Sequence, residues 1–539
     1  MKRKIIWLLV MLMVSAGRAE DITICFDGAT VKVKNNVADS VSVVVDGAKV
    51  NVKSRYYTHP LTLRLTGKSD DGQFVLKTVG EATVTLDGLT LTCREGAPLW
   101  LKNKKKVEVV VAKKTENTLT VTACTDTTNH KGAVIWAKDT LLLSGKGTLN
   151  IVATGDGCRG IKTKKDLIVE ELTLNVTTSG NNLGEKPFGF GGILDFDGQM
   201  PDFGGFPPFG NDSTRRAGPP NFNGQTPNFG GFPPFGNDST RRAGPPNFNG
   251  QMPDFGGFPP FGNDSTRRAG PPNFNGQMPD FGGFPPFGND SISEDGFGGG
   301  FGGKHKYYAS TKGIASKGKI TINSGNVTVH TSTPGAEGIE GKEGLVFNCG
   351  TVNVLATDDA LNANATIEFN GANVTVRSIG NDAVDANPKN GFFSPFGSGG
   401  DNRQKIEPVI IVRGGTVYAW SQVGSPEEGL DCDFAPILIE VGTVFSVGGG
   451  MGEMPSVPTN KTAKQPTIVL TGLAIAKDSP ICLYNSSNKL IGTVTIPFSM
   501  RRSASLITHP AFKLGKTYTI KSQGYEKTFT LNEPFTVVR

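Results

Sequence analysis

The sequence predicts an all-β protein built around a parallel β-helix solenoid. A small residue followed by an aliphatic one recurs as Gly313-Ile314, Gly338-Ile339, Ala360-Leu361 and Ala383-Val384, at steps of 25, 22 and 23 residues. Each repeat holds three short apolar stretches and no segment of helical period, which is typical of three strands per coil. Self-similarity at this period indicates a solenoid in which every coil buries its apolar face on its neighbours.

The same repeat assigns residues 136–183 and 304–450 to solenoid coils. The anchor pairs Gly160-Ile161 and Gly429-Leu430 mark coils on either side of the central repeats. Gly429 lies 46 residues after Ala383, which is two ordinary steps, so one coil in between carries a long loop at 389–405. Residues 20–135 are strand-rich and less regular, and we expect them to form an N-terminal β cap and the first coils.

Residues 1–19 have the features of a secretory signal peptide. Lys2, Arg3 and Lys4 precede an apolar run that ends at Val14 and is followed by small residues. The run is too short to span a bilayer. We therefore expect an exported protein without a membrane span, either secreted or held at the cell surface or in the periplasm.

A low-complexity segment interrupts the coils at 184–303. Gly198, Gly224, Gly250 and Gly276 each open a copy of one 26-residue unit rich in Phe, Pro and Gly. Because the units have neither a strand nor a helix pattern, we expect a disordered insertion. After the coils, residues 451–465 are predicted to be a linker, and residues 466–539 a small C-terminal β module.

The net charge and the cysteines of the sequence bear on its partners and on its disulfides. The net charge of +6 over 539 residues gives no reason to expect a nucleic-acid partner. Cys158, Cys349 and Cys432 are expected to pack as small apolar residues within the stack. Disulfides between Cys25 and Cys93 or between Cys124 and Cys158 are alternatives that the sequence does not decide. It also leaves the oligomeric state open.

Acidic residues recur in register at the turns beside the anchor pairs. One column of the stack would hold Glu337, Asp359, Asp382 and Glu428; a second, three residues later, would hold Glu340, Asn362, Asp385 and Asp431; and Asp433 follows in the last turn. Stacked coils lie about 4.8 Å apart. Two carboxylates at that separation repel by roughly 3 kcal/mol at an effective dielectric of about 20. We expect calcium to relieve this repulsion, since it takes irregular sets of oxygen ligands; the alternative is a solvated acidic edge without metal.

A sugar-binding surface is predicted on the strand that contains Tyr418 and Trp420. Val417 and Ala419 should point inward, so the two aromatic side chains should point outward. Arg377 and His330 fall in the column of Trp420 on other coils, where they would offer polar contacts to a carbohydrate. The alternative is that the Phe-rich loop at 389–405 covers Trp420.

Several phrases of the sequence resemble a known family. KGIASKGKITINSGNVTV, DDALNANATIEFNGANVTV and GNDAVDAN, with GGTVYAW and PAFKLGKTYTI further on, resemble exported β-helix proteins known as carbohydrate-binding domain-containing proteins. The resemblance implies binding to cellulose or pectic acid, bound calcium, and a fold shared with β-helix polysaccharide lyases. It also implies calcium ligands among Asp358, Asp359, Asp382 and Asp385. The coil with Arg159 and Lys162 departs from the acidic pattern.

Three functions stay open from the sequence. The favoured one is an exported, non-catalytic protein that binds a plant cell-wall glucan or pectic acid, with calcium held on the acidic turns, and it assigns no catalytic residue. The second is a calcium-dependent polysaccharide lyase, in which Lys342 or Lys162 would abstract the C5 proton of the sugar. The third is a structural surface adhesin without sugar specificity.

Overall fold

The computed structural model describes residues 20–54, 59–123, 132–182, 310–387, 407–432, 435–449 and 456–539. The predicted signal peptide, the predicted disordered insertion and the loop at 389–405 lie outside these residues. The described residues form strands and turns and contain no helix. Within this part of the chain, accordingly, no helical segment has the length and apolar character needed to cross a membrane.

The first half of the described chain contains sixteen strands. They are β1 (Ile22–Asp27), β2 (Thr30–Asn35), β3 (Ser42–Asp46), β4 (Lys49–Lys53), β5 (Leu61–Ser69), β6 (Gln73–Lys77), β7 (Ala82–Cys93), β8 (Leu99–Leu101), β9 (Val107–Val111), β10 (Glu116–Val121), β11 (Ala133–Ala137), β12 (Leu141–Gly145), β13 (Thr148–Ala153), β14 (Arg159–Thr163), β15 (Leu167–Val169) and β16 (Thr173–Thr178).

Residues 310–449 contribute the next strands, which are β17 (Ile314–Ser316), β18 (Ile320–Ile322), β19 (Asn326–Thr331), β20 (Ile339–Gly341), β21 (Leu345–Phe347), β22 (Thr351–Ala356), β23 (Leu361–Ala363), β24 (Ile367–Phe369), β25 (Asn373–Ser378), β26 (Val384–Ala386), β27 (Ile410–Val412), β28 (Thr416–Ser421), β29 (Ile437–Ile439) and β30 (Thr443–Val447). The C-terminal strands are β31 (Thr467–Ile475), β32 (Pro480–Asn485), β33 (Leu490–Thr495), β34 (Met500–Thr508), β35 (Thr517–Ser522), β36 (Tyr525–Thr530) and β37 (Phe535–Val538).

The strands stack as parallel ladders, which makes the fold all-β and solenoid-like. The first ladder runs through β9, β12, β15, β18, β21, β24, β27 and β29, and the second through β10, β13, β16, β19, β22, β25, β28 and β30. The third ladder runs through β4, β6, β8, β11, β14, β17, β20, β23 and β26. Successive repeats therefore place one strand in each ladder, as the three apolar stretches per repeat predicted.

The stack continues in register across the gap between residues 182 and 310. Strand β14 pairs with β17, β15 with β18, and β16 with β19, all in parallel. Side chains from all three ladders meet in one apolar core, in which Phe347 and Phe369 stack with their ring centroids 5.3 Å apart. Antiparallel hairpins formed by β1 with β2 and by β3 with β4 lie at the N-terminal end of the stack.

A ladder of side-chain amides reinforces one row of turns. Asn348 donates through Nδ2 to Asn323 Oδ1 at 2.8 Å, and Asn370 donates in the same way to Asn348 Oδ1 at 2.9 Å. Asn323 donates to the Glu170 carboxylate at 2.7 Å, and Arg413 donates to Asn370 Oδ1 at 3.3 Å. All amide dipoles thus point the same way, with an anion at their donor end and a cation at their acceptor end, an arrangement that strengthens each bond.

The C-terminal module packs against the last coils. Strand β30 pairs antiparallel with β34, and Phe445 and Val447 of β30 join a second apolar core with Ile468 and Ile507 of the module. Residues predicted to be a free linker also contact the stack, since Ala463 pairs with Ile439. The module therefore lies at the downstream end of the stack, where it covers apolar side chains of the final coil.

The cysteines differ from two of the expectations. Cys158 is disulfide-bonded and does not simply pack as a small apolar residue, and Cys349 is exposed at its turn instead of being buried. Cys25 and Cys93 are both free thiols, which excludes their pairing. Cys124 lies outside the described residues. Cys432 is buried, as predicted.

Replacing Asn348 by Ala should destabilise the fold by about 0.5–1.5 kcal/mol for each lost hydrogen bond, because it removes the half-buried bonds to Asn323 and from Asn370. Denaturant unfolding of the two proteins measures this loss. Asn373→Ala, at an exposed position of β25, is the matched control and should cost less. Equal stability of the two variants would contradict the role of the amide ladder.

Candidate functional site

The candidate site follows the outer face of the third ladder. In each of its strands the middle residue points away from the core, and the pairing register aligns these residues in what we call the outer column. The outer column contains Trp100, Trp136, Lys162, Ala315, Glu340, Asn362 and Asp385, and Asp431 extends it through a β-bridge.

A second row of side chains lies three residues earlier in each coil, and we call it the turn column. It contains Arg159, Lys312, Glu337, Asp359, Asp382 and Glu428. Backbone hydrogen bonds link its neighbouring coils, for example from Gly338 N to Asp359 O and from Ala383 N to Glu428 O. The two acidic columns proposed from the sequence therefore do lie side by side in the structure.

The charge of this surface changes sign along the stack. Arg159, Lys162 and Lys312 form an upstream basic part, and the acids from Glu337 onward form the downstream part. Most of these ionisable side chains are buried, including Lys162, Glu340 and Asp359. Because a buried charge is costly unless it is paired and hydrogen-bonded, each part of the surface must contain its own means of neutralisation.

Lys312 neutralises the first acids at the boundary between the two parts. Its ammonium lies 3.0 Å from both carboxylate oxygens of Glu337 and 2.7 Å from Glu340 Oε2. Lys342 lies 2.5 Å from the other oxygen of Glu340. Burial alone would raise the pKa of Glu340, but the two ammonium groups outweigh it and hold this pKa at about 2. Burial likewise opposes the charged form of Lys312, yet the two carboxylates raise its pKa above the usual value.

Glu337 and Glu340 stay predicted metal ligands, and in this structure lysine ammonium groups contact both carboxylates. These ammonium groups supply positive charge where a metal cation would otherwise supply it. Lys342 is one of the two candidate bases for a lyase reaction. Its ammonium is held in an ion pair with Glu340. Lys162, the other candidate base, is buried in the outer column.

Amide groups bridge the acids of the next coils. Asn362 donates through Nδ2 to Asp359 Oδ2 at 2.9 Å and to Asp385 Oδ2 at 3.2 Å. Asn387 donates to Asp385 at 2.6 Å, and Asn381 donates to Asp358 at 2.9 Å. Carboxylates from neighbouring coils thus share an amide donor. An amide N–H carries only a partial positive charge, whereas the ammonium of Lys312 carries a full one.

The last coil adds Glu428 and Asp431 to this group. Ser456 donates its backbone N–H to Glu428 at 2.6 Å and its hydroxyl to Asp431 at 3.1 Å. The backbone N–H of Glu428 in turn donates to Asp382 Oδ1. The segment predicted to be a linker therefore takes part in the site through Ser456. Asp433, also predicted to be a ligand, lies outside the described residues.

Burial and mutual repulsion favour protonation of Asp359 and Asp382. Burial, followed by the carboxylates of Asp385 and Asp358, raises the pKa of Asp359 well above its usual value. Burial and then the charge of Asp431 raise the pKa of Asp382 to about 9. Asp359 is 5% exposed, and its buried Oδ1 has no hydrogen-bond partner among the described residues. At neutral pH this group must therefore hold protons or accept a cation.

The donor chemistry of the downstream acids fits calcium. They offer carboxylate and amide oxygens only, which are the ligands of a hard cation, and Asp359 contributes an unused buried oxygen. Among the described residues, however, no three His, Cys, Asp or Glu side chains stand in a ready-made metal-binding arrangement. Binding would therefore require these carboxylates to turn away from their amide donors.

The predicted aromatic platform is not assembled, which corrects that expectation. Trp420 is 7% exposed because it joins the apolar core formed with the C-terminal module. Tyr418 stacks on it at 6.0 Å and packs against the same core. Arg377 lies over the ring of Phe498, with its guanidinium carbon 5.2 Å from the ring centroid, and only His330 remains exposed. The side chains do point outward as predicted, but nothing in the residue pattern indicates that the C-terminal module covers this face.

Two tryptophans of the outer column were missed by the sequence analysis. Trp100 and Trp136 sit between inward-pointing residues, as in Leu99-Trp100-Leu101, so the alternation placed them on the outer face. Their rings meet edge to face with centroids 6.2 Å apart. The repeat register could have aligned them, but the first coils are too irregular in sequence to be superimposed on the later ones.

These features define an all-β, solenoid-like protein with a buried charged strip along one face. A family model described as carbohydrate-binding domain-containing protein matches residues 46–186 and 288–386, together less than half of the chain. A carbohydrate-binding domain-containing protein of Acetivibrio thermocellus is 31% identical over 117 residues, which represent 20% of this chain and 40% of that protein. The chain is therefore similar to such proteins over parts of its length, and it spans well under two thirds of this relative.

A solved structure gives a weaker likeness. It is that of the polysaccharide lyase-like protein from C. thermocellum in a gadolinium derivative, and the match covers 68% of this chain and 95% of the other. The sequence identity is 17% and the TM-score is 0.37. Similarity at this level is too weak to support a conclusion about either fold or activity.

Replacing Lys312 by Met should destabilise the protein by about 3–5 kcal/mol, because it leaves the Glu337 carboxylate without its ammonium partner and Glu340 with Lys342 alone. Denaturant unfolding at neutral pH measures the loss. The triple variant Lys312→Met, Glu337→Gln, Glu340→Gln removes the stranded charges as well and should recover most of the stability. A triple variant no more stable than the single one would contradict this pairing.

Asp382 should make the chelator-treated protein less stable as pH rises. Its pKa is raised from 3.8 to about 9, so between these values the folded state binds more protons than the unfolded state. The free energy of unfolding then falls with increasing pH across this window. Asp382→Asn, neutral throughout, should be more stable than the wild type near pH 8, and the difference should shrink as the pH falls towards 4. Unfolding curves at several pH values measure this, with exposed Asp46→Asn as control; parallel profiles for wild type and Asp382→Asn would refute it.

Proposed function

We propose that this chain is an exported, non-catalytic polysaccharide-binding protein that uses calcium to neutralise its downstream acids. The observation that carries the proposal is the match of two long stretches to a family described as carbohydrate-binding. One matched stretch contains Arg159 and Lys162, and the other contains Lys312 and the acids from Glu337 to Asp385. Most of the strip therefore falls within the regions that the family model describes, and only Glu428 and Asp431 lie beyond them.

The solenoid-like architecture suits binding to a polymer. Parallel ladders repeat the same backbone about every 4.8 Å and give a long, straight surface on which an extended chain can make many equivalent contacts. We further propose that the ladders wind as a parallel β-helix. Lys342, a candidate base for lyase chemistry, is engaged in an ion pair with Glu340, which favours binding over catalysis.

Calcium would be held by Asp359, Asp382, Asp385 and Asp431, with Asp358 and Glu428 nearby. When bound, it would supply the positive charge that these acids lack and an electrostatic contact for sugar carboxylates. Pectic acid is therefore a fitting ligand, and cellulose is the neutral plant cell-wall polymer to compare with it. The basic and apolar start of the sequence supports export, to the cell surface, the periplasm or the medium.

Retention on insoluble polysaccharides tests the proposed function. The purified protein should be retained on pectic acid or cellulose, and the pectic-acid fraction should decrease when calcium is chelated. Retention on neither polymer would overturn the proposal and favour an adhesin without sugar specificity. Release of unsaturated, ultraviolet-absorbing products from pectic acid would instead identify a lyase.

Calcium should stabilise the wild type against unfolding, by roughly 2.7 kcal/mol at a hundredfold excess over its Kd. The response should be lost in a double variant with Asp359→Asn and Asp382→Asn, which removes two carboxylates but keeps oxygen atoms at both positions. Glu337→Gln is the matched control, because the ammonium of Lys312 already contacts both oxygens of this carboxylate, so its calcium response should be retained. Thermal unfolding with calcium and with chelator measures all three proteins, and an unchanged response in the double variant would place calcium elsewhere.

A further inference from the structure

Trp100 and Trp136 form an aromatic pair on the outside of the solenoid. They lie one coil apart in the outer column, and with Ala97 and Ala133 they make a small cluster separate from the main core. Trp100 is half-buried and presents part of its ring to solvent, whereas Trp136 is 7% exposed. The edge-to-face contact of 6.2 Å fixes the orientation of the outer ring against the inner one.

Coil packing does not require large aromatic rings at this place. In the second ladder, the outward, half-buried residues of β10 and β13 include Thr118, Thr120, Asn150 and Val152, and none of them is aromatic. Two indoles on the outer face therefore add apolar area that the stack does not need for its own burial. Tryptophan at a protein surface is the residue that most often anchors a binding partner.

Lysines surround this aromatic pair. The ammonium of Lys102 lies 3.3 Å from the ring centroid of Trp100, and that of Lys164 lies 6.0 Å from the ring centroid of Trp136. Lys162 follows directly in the outer column. Trp136 Nε1 is a buried donor with no hydrogen-bond partner among the described residues. Together Trp100 and the lysines offer an apolar ring face and positive charge.

This combination matches one class of sugar. A pyranose ring presents an apolar C–H face to an indole and hydroxyl groups to a donor, and a carboxylate on the sugar pairs with an ammonium. Neutral sugars would stack on the indole ring but would have no carboxylate to pair with the lysines. Trp100 is six register steps from Asp385, which at about 4.8 Å per step is roughly 29 Å along the same face. One extended polysaccharide can therefore reach both ends of the charged strip.

We propose that Trp100, supported by Trp136 and flanked by Lys102 and Lys164, is a subsite for carboxylate-bearing sugar units at the upstream end of the outer column. Trp100 contacts the sugar ring, Lys102 moves from the indole to the sugar carboxylate, and Trp136 acts as a positioning residue. The inference rests on the proposed function but does not involve calcium, since this subsite lies in the basic part of the strip.

Affinity electrophoresis of the full chain in gels containing polygalacturonate tests the subsite. Trp100→Ala should weaken binding roughly tenfold, and Lys102→Gln should weaken it less, with a loss that shrinks at high salt. Both losses should persist in the presence of chelator. With neutral hydroxyethylcellulose in the gel, Lys102→Gln should behave like the wild type. The matched control is Tyr484→Ala, which removes a ring lying 5.7 Å from the ammonium of Lys521 in the C-terminal module and should leave binding unchanged.

A second measurement guards against a merely structural effect. In a Trp420→Phe background, adding oligogalacturonate should change the intrinsic fluorescence, and adding Trp100→Phe to this background should remove most of the change while the protein still unfolds at a normal temperature. Wild-type affinity in Trp100→Ala, or an equal loss in Tyr484→Ala, would overturn the subsite and leave the proposed function standing. A wild type that binds neither polymer would overturn both.

Discussion

The parallel register between coils is the constraint on which the rest of the structure depends. It places equivalent residues of successive coils about 4.8 Å apart, so any property of one turn is repeated along a whole face. Apolar repetition gives a continuous core, in which Phe347 stacks on Phe369. Amide repetition gives the hydrogen-bonded ladder through Asn348. Repetition of acids, by contrast, places negative charges next to one another, and each of them then requires a positive charge or a proton nearby.

The protein answers this requirement differently in two places. At the boundary of the strip, the ammonium of Lys312 contacts both Glu337 and Glu340, and together with Lys342 it holds the pKa of Glu340 at about 2. Further along, Asn362 bridges Asp359 and Asp385 with a neutral amide, which leaves much of the repulsion in place. The carboxylates around Asn362 lack a positive partner, so they can exchange bound protons for a cation. The carboxylates paired with Lys312 already have such a partner, so we assign them a structural role.

Much of the fold could be predicted from the sequence, because the anchor pairs recur at a nearly constant step and fix both the strands and the two acidic columns. The sequence could not reveal which acids are already paired, since Lys312 lies a full coil before Glu337 and only the register brings them together. Nor could it place Trp420, whose outward direction follows from alternation but whose burial depends on where the C-terminal module docks. Trp100 and Trp136 escaped notice because the first coils lack a clear repeat.

The central claim is that stacking raises the pKa of Asp359 and Asp382, so that these two acids hold protons at neutral pH until a cation replaces them. Carbon-13 NMR of the aspartate carboxyl groups in chelated protein tests it most directly, because each carboxyl shift reports its own protonation. The account predicts at least one aspartate signal that titrates at about pH 9, that disappears in Asp382→Asn and that shifts to its ionised value when calcium is added. If every aspartate of the wild type titrated in the ordinary acidic range, the claim would be contradicted.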